Sequence, residues 1–205
     1  MQIQKFILGP MASNCYIVWP DGEKEGVIID PGYDSKEITD FIAEKGLCID
    51  KILLTHGHFD HIGGLEMVRK ATKAPVYIYK DDAECLTSAG TNISTMVGQP
   101  MTFEPAEVLM KEGDEIAVGS SEKLKVIHTP GHTPGGCCFA GDKVVFTGDT
   151  LFQQSVGRSD FPGGDYYALM DSVKKLMALD DALIVLPGHG DNSTIGFERT
   201  HNPFV

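Results

Sequence analysis

Nowhere in the 205 residues does an apolar run approach the roughly 20 needed to span a bilayer. The stretch Met1 to Pro10 has no basic segment leading into an apolar core, so no secretory signal is read there. Cysteine is sparse and unpatterned. Cys15, Cys48, Cys85, Cys137 and Cys138 are odd in number and irregularly spaced, which fits neither a disulfide framework nor a zinc knuckle. Reduced thiols in a cytoplasmic protein are the expectation. Cys137 and Cys138 fall in an expected strand, where neighbours point to opposite faces and serve as small filler. Positive charge is short too: 17 Lys and Arg stand against 29 Asp and Glu, a formal net charge of -12. A nucleic-acid backbone needs a basic surface, so that class of partner is disfavoured. The deficit says little about a small substrate, because bound divalent cations invert the local field. There is no close internal repeat and no linker. Hydrophobic content of 42% and charged content of 22% suit one domain, or two small halves sharing a core.

What the chain does hold is histidine and aspartate placed where apolar runs stop. Ile52 to Leu54 reads as a buried strand, and His56, His58, Asp60 and His61 follow at once. Ligands just past a strand end sit where an α/β sheet opens its site. One metal cannot take all four without strain, because neighbours such as Asp60 and His61 diverge; two metals sharing the loop is the expected solution. Three further stops repeat the pattern. Val126-Ile127 leads to Thr129-Pro130-Gly131-His132, Val144 to Phe146 leads to Thr147-Gly148-Asp149, and Leu183 to Leu186 leads to Gly188-His189. Imidazole mixed with carboxylate suits zinc, iron or manganese, and the absence of thiolate disfavours a purely structural zinc. Seven ligands over two metals leave room for a shared water, which points to a catalytic site.

The remaining pattern supplies the frame. Residues 2–8, 14–19 and 26–30 read as strands, followed by a helix capped by Asp34 or Ser35 and ended by Gly46. Lys51 to Thr55 is the next strand. After Gly63-Gly64 comes a helix with Leu65 and Val68 inward, then a strand over Pro75 to Tyr79 and a short helix over Asp81 to Ser88. Gly90 to Met110 is weakly patterned, either a flap over the site or a plain surface loop. Strands follow over 115–118, 124–129, 136–140 and 143–147, then a helix over Tyr166 to Leu179 and a last strand over Leu183 to Leu186. Two such runs of strands closed by helices predict two sheets face to face with helices outside.

The motif H-x-H-x-D-H followed in order by His132, Asp149 and His189 resembles the metallo-β-lactamase superfamily. The local strings Thr-His-Gly-His-Phe-Asp-His-Ile-Gly-Gly, Thr-Pro-Gly-His-Thr-Pro-Gly, Thr-Gly-Asp-Thr-Leu-Phe and Pro-Gly-His-Gly resemble its glyoxalase II branch, the hydroxyacylglutathione hydrolases. The resemblance implies an α/β fold, a four-layer αββα sandwich formed by residues 1–205 as one catalytic domain. It implies one metal on His56, His58 and His132, a second on Asp60, His61 and His189, and Asp149 between them. Zinc is the first expectation, with iron or manganese as alternatives. Departures are equally specific. The C-terminal helical domain that completes the glutathione site of glyoxalase II is expected to be missing, its glutathione-contacting tyrosine aligns with Asp191, and its substrate lysine aligns with Arg158. Those features resemble the short, single-domain members of the branch.

The reaction expected is hydrolysis of a small-molecule thioester or ester of the S-lactoylglutathione type, with Asp60 and Asp149 as catalytic carboxylates. A water shared by two cations can reach a pKa near ~7, and a thiolate leaves without a proton donor, which an amide nitrogen needs more urgently. Asp30 is expected either as an acceptor that fixes a ligand imidazole or as a turn cap. Arg158 is open between holding a substrate carboxylate and pairing with Asp160 or Glu198. His128 and His201 are expected to be packed or solvated, and Tyr166 and Tyr167 to join the core. The rival readings are a mononuclear-iron persulfide dioxygenase, a lactonase or other ester hydrolase, and a metal-loaded binding scaffold. A ribonuclease is disfavoured by the charge.

Overall fold

Alternation along the strands assigns the layers. A computed structural model describes all 205 residues, Met1–Val205. The first sheet runs in spatial order β1 (Gln2–Leu8), β2 (Ser13–Trp19), β3 (Glu25–Ile29), β4 (Cys48–Leu53), β5 (Val76–Tyr79), β6 (Val108–Met110). Its first three strands pair antiparallel and the rest parallel. Between β3 and β4 lies α1 (Lys36–Lys45); after β4 come α2 (Phe59–Ile62) and α3 (Leu65–Thr72), and after β5 comes α4 (Ala83–Thr87). The second sheet is built from β7 (Glu115–Val118), β8 (Glu122–His128), β9 (Cys137–Ala140), β10 (Val144–Gly148), β13 (Ile184–Pro187) and β14 (Ser193–Thr194). Its only parallel pair is β10 with β13. A small hairpin, β11 (Leu151–Phe152) with β12 (Ser155–Val156), precedes α5 (Tyr166–Leu176), and α6 (Ile195–His201) follows β14.

Successive strand residues face opposite sides, and three buried layers result. Ile17, Ile28 and Ile52 pack outward with Ile38, Leu65 and Val68 of α1 and α3. Their neighbours Tyr16, Val18, Val27 and Ile29 turn inward, against Phe139, Phe146 and Leu186 of the second sheet. On the far side Cys138 and Val145 meet Val173 and Leu176 of α5 and Ile195 of α6. This is the expected αββα sandwich. Cys137 lies between the sheets and Cys138 beneath α5, on opposite faces as expected. The helix ends match their sequence signals. Ser35 accepts from the Glu37 N–H, and Gly46 sits at φ 61° where its N–H donates to Ala43 and Ile42 carbonyls. No helix is long and apolar enough to cross a membrane.

Four expectations need correction. The 90–110 stretch is not a plain loop throughout: Ile93, Met96 and Val97 wall the cleft at the candidate site, Asn92 anchors the stretch by donating to the Cys85 and Met101 carbonyls, and it ends in β6, which pairs with β5. The signal was weak because Val108–Met110 is a three-residue edge strand whose Leu109 is exposed. Tyr166 and Tyr167 are not core. They are 53% and 80% exposed at the start of α5, whose buried face begins only at Leu169. A short C-terminal helix, α6, went unread because it spans only Ile195–His201. Lastly, Glu198 does not pair with Arg158; it is fully buried and accepts from the Gln154 N–H and Asn202 Nδ2.

Candidate metal centre

All seven histidine and aspartate candidates converge along one edge of the sandwich, past the C-terminal ends of β4, β8, β10 and β13. The two sheets are joined there by backbone. The Asn14 N–H donates to the Gly188 carbonyl at 2.7 Å, and Asn14 Nδ2 and Tyr16 Oη donate to the Pro187 carbonyl at 2.9 and 2.7 Å. On the opposite flank the Cys137 N–H donates to the Thr55 carbonyl at 2.8 Å. Tightness at this edge calls for glycine: a Cβ on Gly188 would collide with Asp149 Oδ1 and His61 Cε1.

The side chains form two groups that meet at Asp149, and a third set, Asp30 with His56 and His61, joins one ring from each. His56, His58 and His132 bring ring nitrogens within 4.8 Å of one another, and a carboxylate oxygen of Asp60 and ring nitrogens of His61 and His189 come equally close. His58 Nδ1 lies 2.9 Å from His132 Nε2, and His61 Nε2 lies 3.2 Å from His189 Nε2. Two nitrogens on one tetrahedral ion at ~2.0–2.1 Å would be ~3.3 Å apart, so both spacings suit a shared cation. Asp149 stands between the groups. Its Oδ1 is 3.3 Å from His61 Nε2, while Oδ2 is 3.6 Å from His132 Nε2 and 3.5 Å from His189 Nε2. Asp60 and His61 do not diverge as their adjacency suggested. They share the one-turn α2, and Asp60 Oδ2 is 3.7 Å from His61 Nε2 and 3.2 Å from His189 Nε2. Two atoms here, His56 Nε2 and Asp149 Oδ1, are buried with no hydrogen-bond partner; on His58 the unpartnered atom is Nε2, not the Nδ1 that approaches His132. Buried polar atoms are costly when unpaired, and this set of imidazoles and carboxylates fits divalent cations.

Asp30 sets the tautomers of two of these imidazoles. It ends β3 at φ 51°, a left-handed conformation uncommon for a non-glycine residue. Oδ1 accepts from the Thr55 N–H at 2.8 Å. Oδ2 accepts from Thr55 Oγ1 at 2.6 Å and from His61 Nδ1 at 3.1 Å. With its own proton committed to Asp30, Thr55 Oγ1 is left to accept from His56 Nδ1 at 3.1 Å. In its neutral form each ring therefore turns a bare Nε2 to the centre. His132 is fixed likewise, its Nδ1 donating to the Arg158 carbonyl at 2.6 Å.

The two groups differ in charge. Burial, reinforced by the neighbouring imidazoles, pushes His56 well down and His58 down to about 3, so these two rings are neutral. Burial works the same way on His61, but Asp149 and Asp60 outweigh it and hold that ring well above the usual histidine range. His189 is raised by Asp60 and Asp149 against its own burial. Asp149, opposed by burial, is drawn well below the carboxylate range by His61 and the other rings, and Asp60 is lowered by His61 and His189.

Other residues fall as follows. Arg158 is exposed and paired with Asp160, its Nε and Nη2 donating at 2.8 and 2.7 Å, and it stacks 4.1 Å over Phe161. Phe161 in turn packs edge-on against His58. His128 stacks on Tyr79 at 4.1 Å, and His201 on Phe197 at 4.3 Å, both outside the centre. One residue escaped notice in the sequence. Asp82, fully buried, accepts from the Gly57 N–H at 3.0 Å, Thr133 Oγ1 at 2.7 Å and the Gly135 N–H at 2.6 Å, tying the His56–His61 loop to the His132 loop. Burial pushes its carboxyl up against the pull of these three donors. An apolar run followed by an acid does precede it (Val76 to Tyr79, then Asp81-Asp82), the same signal that marked the other strand ends.

Comparison with known proteins identifies the family. The chain is 36% identical over 210 residues to the hydroxyacylglutathione hydrolase GloC of Haemophilus influenzae, covering 100% of this chain and 98% of that one. Among solved structures it is similar to the BLEG-1 B3 metallo-beta-lactamase, with TM-score 0.94, 39% identity and 99% of each chain covered. It is also similar to TTHA1623 in a di-iron-bound form, with TM-score 0.87, 36% identity, and 98% and 100% of the two chains covered. The family model of the metallo-beta-lactamase superfamily matches residues 8–189, from the end of β1 to the last of the converging histidines, and the chain belongs to that superfamily.

Proposed function

We propose that this chain is a binuclear-metal-dependent hydrolase of small-molecule thioesters. His56, His58 and His132 would hold one divalent cation, and Asp60, His61 and His189 the other. Asp149 reaches toward both groups, and that placement is the observation that carries the reading. When bound, the cations supply Lewis acidity and a water acidic enough to react at neutral pH. The chain's own residues do the rest. Asp60 Oδ2, held by Ser13 Oγ at 3.2 Å and facing the cleft, would orient the attacking water, whose proton is lost to solvent. Asp30 and the Arg158 carbonyl keep the ligand nitrogens deprotonated and aimed. Phe59 and Phe161 wall the cleft and keep bulk water from the scissile bond. A thiolate, with a free-thiol pKa of about 8.5, departs without a general acid. No lysine or tyrosine lines this cleft to protonate a leaving nitrogen.

The kinship with GloC supports the thioester, and seven converging ligand-type side chains, more than one cation takes, favour two metals over a mononuclear-iron dioxygenase. Zinc, iron and manganese all suit the donor set. A second reading, β-lactam hydrolysis, is favoured by the 0.94 TM-score to a B3 metallo-beta-lactamase. The test is steady-state hydrolysis of S-lactoylglutathione, other thioesters, lactones and a chromogenic cephalosporin by metal-loaded protein. Thioester cleavage lost by at least ~100-fold in Asp60→Ala, with the fold intact, is expected. Cleavage of the cephalosporin alone would move the assignment to the second reading.

A further inference from the structure

The reacting centre opens into a cleft of about 450 Å³, and a second compartment of about 480 Å³ lies against it. Met11, Phe59, Asp60 and Val97 line both, which puts the second compartment within reach of a molecule held at the centre. Each is within the size range of small-ligand pockets. The second compartment lies between the β1–β2 turn, the Gly32–Asp34 turn after β3, and the segment around Val97 and Met101. Its apolar walls include Leu8, Met11, Phe59 and Met101, its polar ones Ser13, Tyr33 and Gln99, and its two carboxylates are Asp34 and Asp60. No lysine or arginine lines it.

The rim is apolar as well. Met11, Met96 and Val97 are 52%, 65% and 47% exposed beside the cleft, and methionine adapts to varied apolar shapes. The cleft's one lysine or arginine, Arg158, lines the other compartment and has two of its nitrogens committed to Asp160. A peptide-like arm bearing two carboxylates would thus meet apolar walls and the exposed Asp34, with no lysine or arginine to pair its charges. We infer that the substrate carries an uncharged, apolar arm that fills this second compartment, and that glutathione is not the group recognised there. This inference rests on the proposed thioester hydrolysis and specifies its substrate class.

Two homologous series separate the outcomes. In one the acyl chain of an N-acetylcysteamine thioester is lengthened one methylene at a time; in the other the thiol chain is lengthened at constant acyl group. One series is expected to gain about threefold in kcat/KM per methylene until the compartment fills. The productive series identifies which arm enters. S-lactoylglutathione is expected to fall below the longer members. Val97→Glu and Met11→Glu, which place a carboxylate on the shared wall, are expected to abolish the gain per methylene. Calorimetric binding of the matching uncleavable alkyl thioethers, whose affinity should rise with length, reads the same compartment without turnover. Thioester cleavage with no length dependence in either series, or a preference for S-lactoylglutathione over all of them, overturns the inference while leaving the hydrolase reading intact. Failure to cleave any thioester overturns the hydrolase reading, and the thioether series still decides whether the compartment takes an apolar arm.

Discussion

Asp30 shows how much of the centre depends on a residue that faces no substrate. One carboxylate fixes His61 directly and His56 through Thr55, so its loss frees two rings to adopt the wrong tautomer. Asp30→Asn is expected to weaken metal binding by about 10–100-fold, measured by competition with a chromophoric chelator. The charges make a second prediction. In metal-stripped protein His61 and His189 titrate above their ordinary value, so they favour the folded state fully below pH ~6.5 and lose that contribution as pH rises through their raised values. Stripped protein should therefore lose stability on the alkaline side of neutrality. Because those same protons must leave before a cation binds, metal affinity should climb over the same window. Thermal melts of stripped and loaded protein across pH check both signs. The seven converging residues were legible in the sequence because each follows an apolar strand. Asp30 was legible only as a choice between two roles, since the Thr55 relay joins residues 25 positions apart. Arg158 offered no sign that its carbonyl, not its guanidinium, touches His132.

At the scale of elements, the centre is a set of loops held in register by side chains between them. Asp82, just ahead of α4, accepts from two loops at once, and Asp82→Ala would leave the Gly57 and Gly135 N–H groups buried without partners. A loss of about 3 kcal/mol is expected, read as a Tm about 6–12 °C lower for a chain of this size. Unchanged stability would show that water replaces the carboxylate. The strand-end rule that found the metal-type residues also marks Asp82, which serves as a clamp. Periodicity read β1 to β5, β7 to β10 and α5 to within a few residues, because each buries a regular face. It missed β6, β11, β12 and β14, which have two or three residues each and bury too little to leave a pattern.

For the whole molecule, the first sheet delivers His56, His58, Asp60 and His61, and the second delivers His132, Asp149 and His189. Neither sheet completes either group of three on its own, since His132 finishes one and His189 the other. The layered fold was legible because runs such as Tyr16-Ile17-Val18 and Cys137-Cys138-Phe139 split cleanly between two buried layers. How closely the two halves meet was not legible. It depends on Asn14 and Tyr16 reaching the Pro187–Gly188 backbone, contacts across more than 170 residues. The most direct test of a two-metal centre built across this seam is a titration of metal into stripped protein, followed by thioester hydrolysis. Activity should rise and level off at two equivalents per chain. Saturation at one equivalent, or no hydrolysis at any loading, would contradict it.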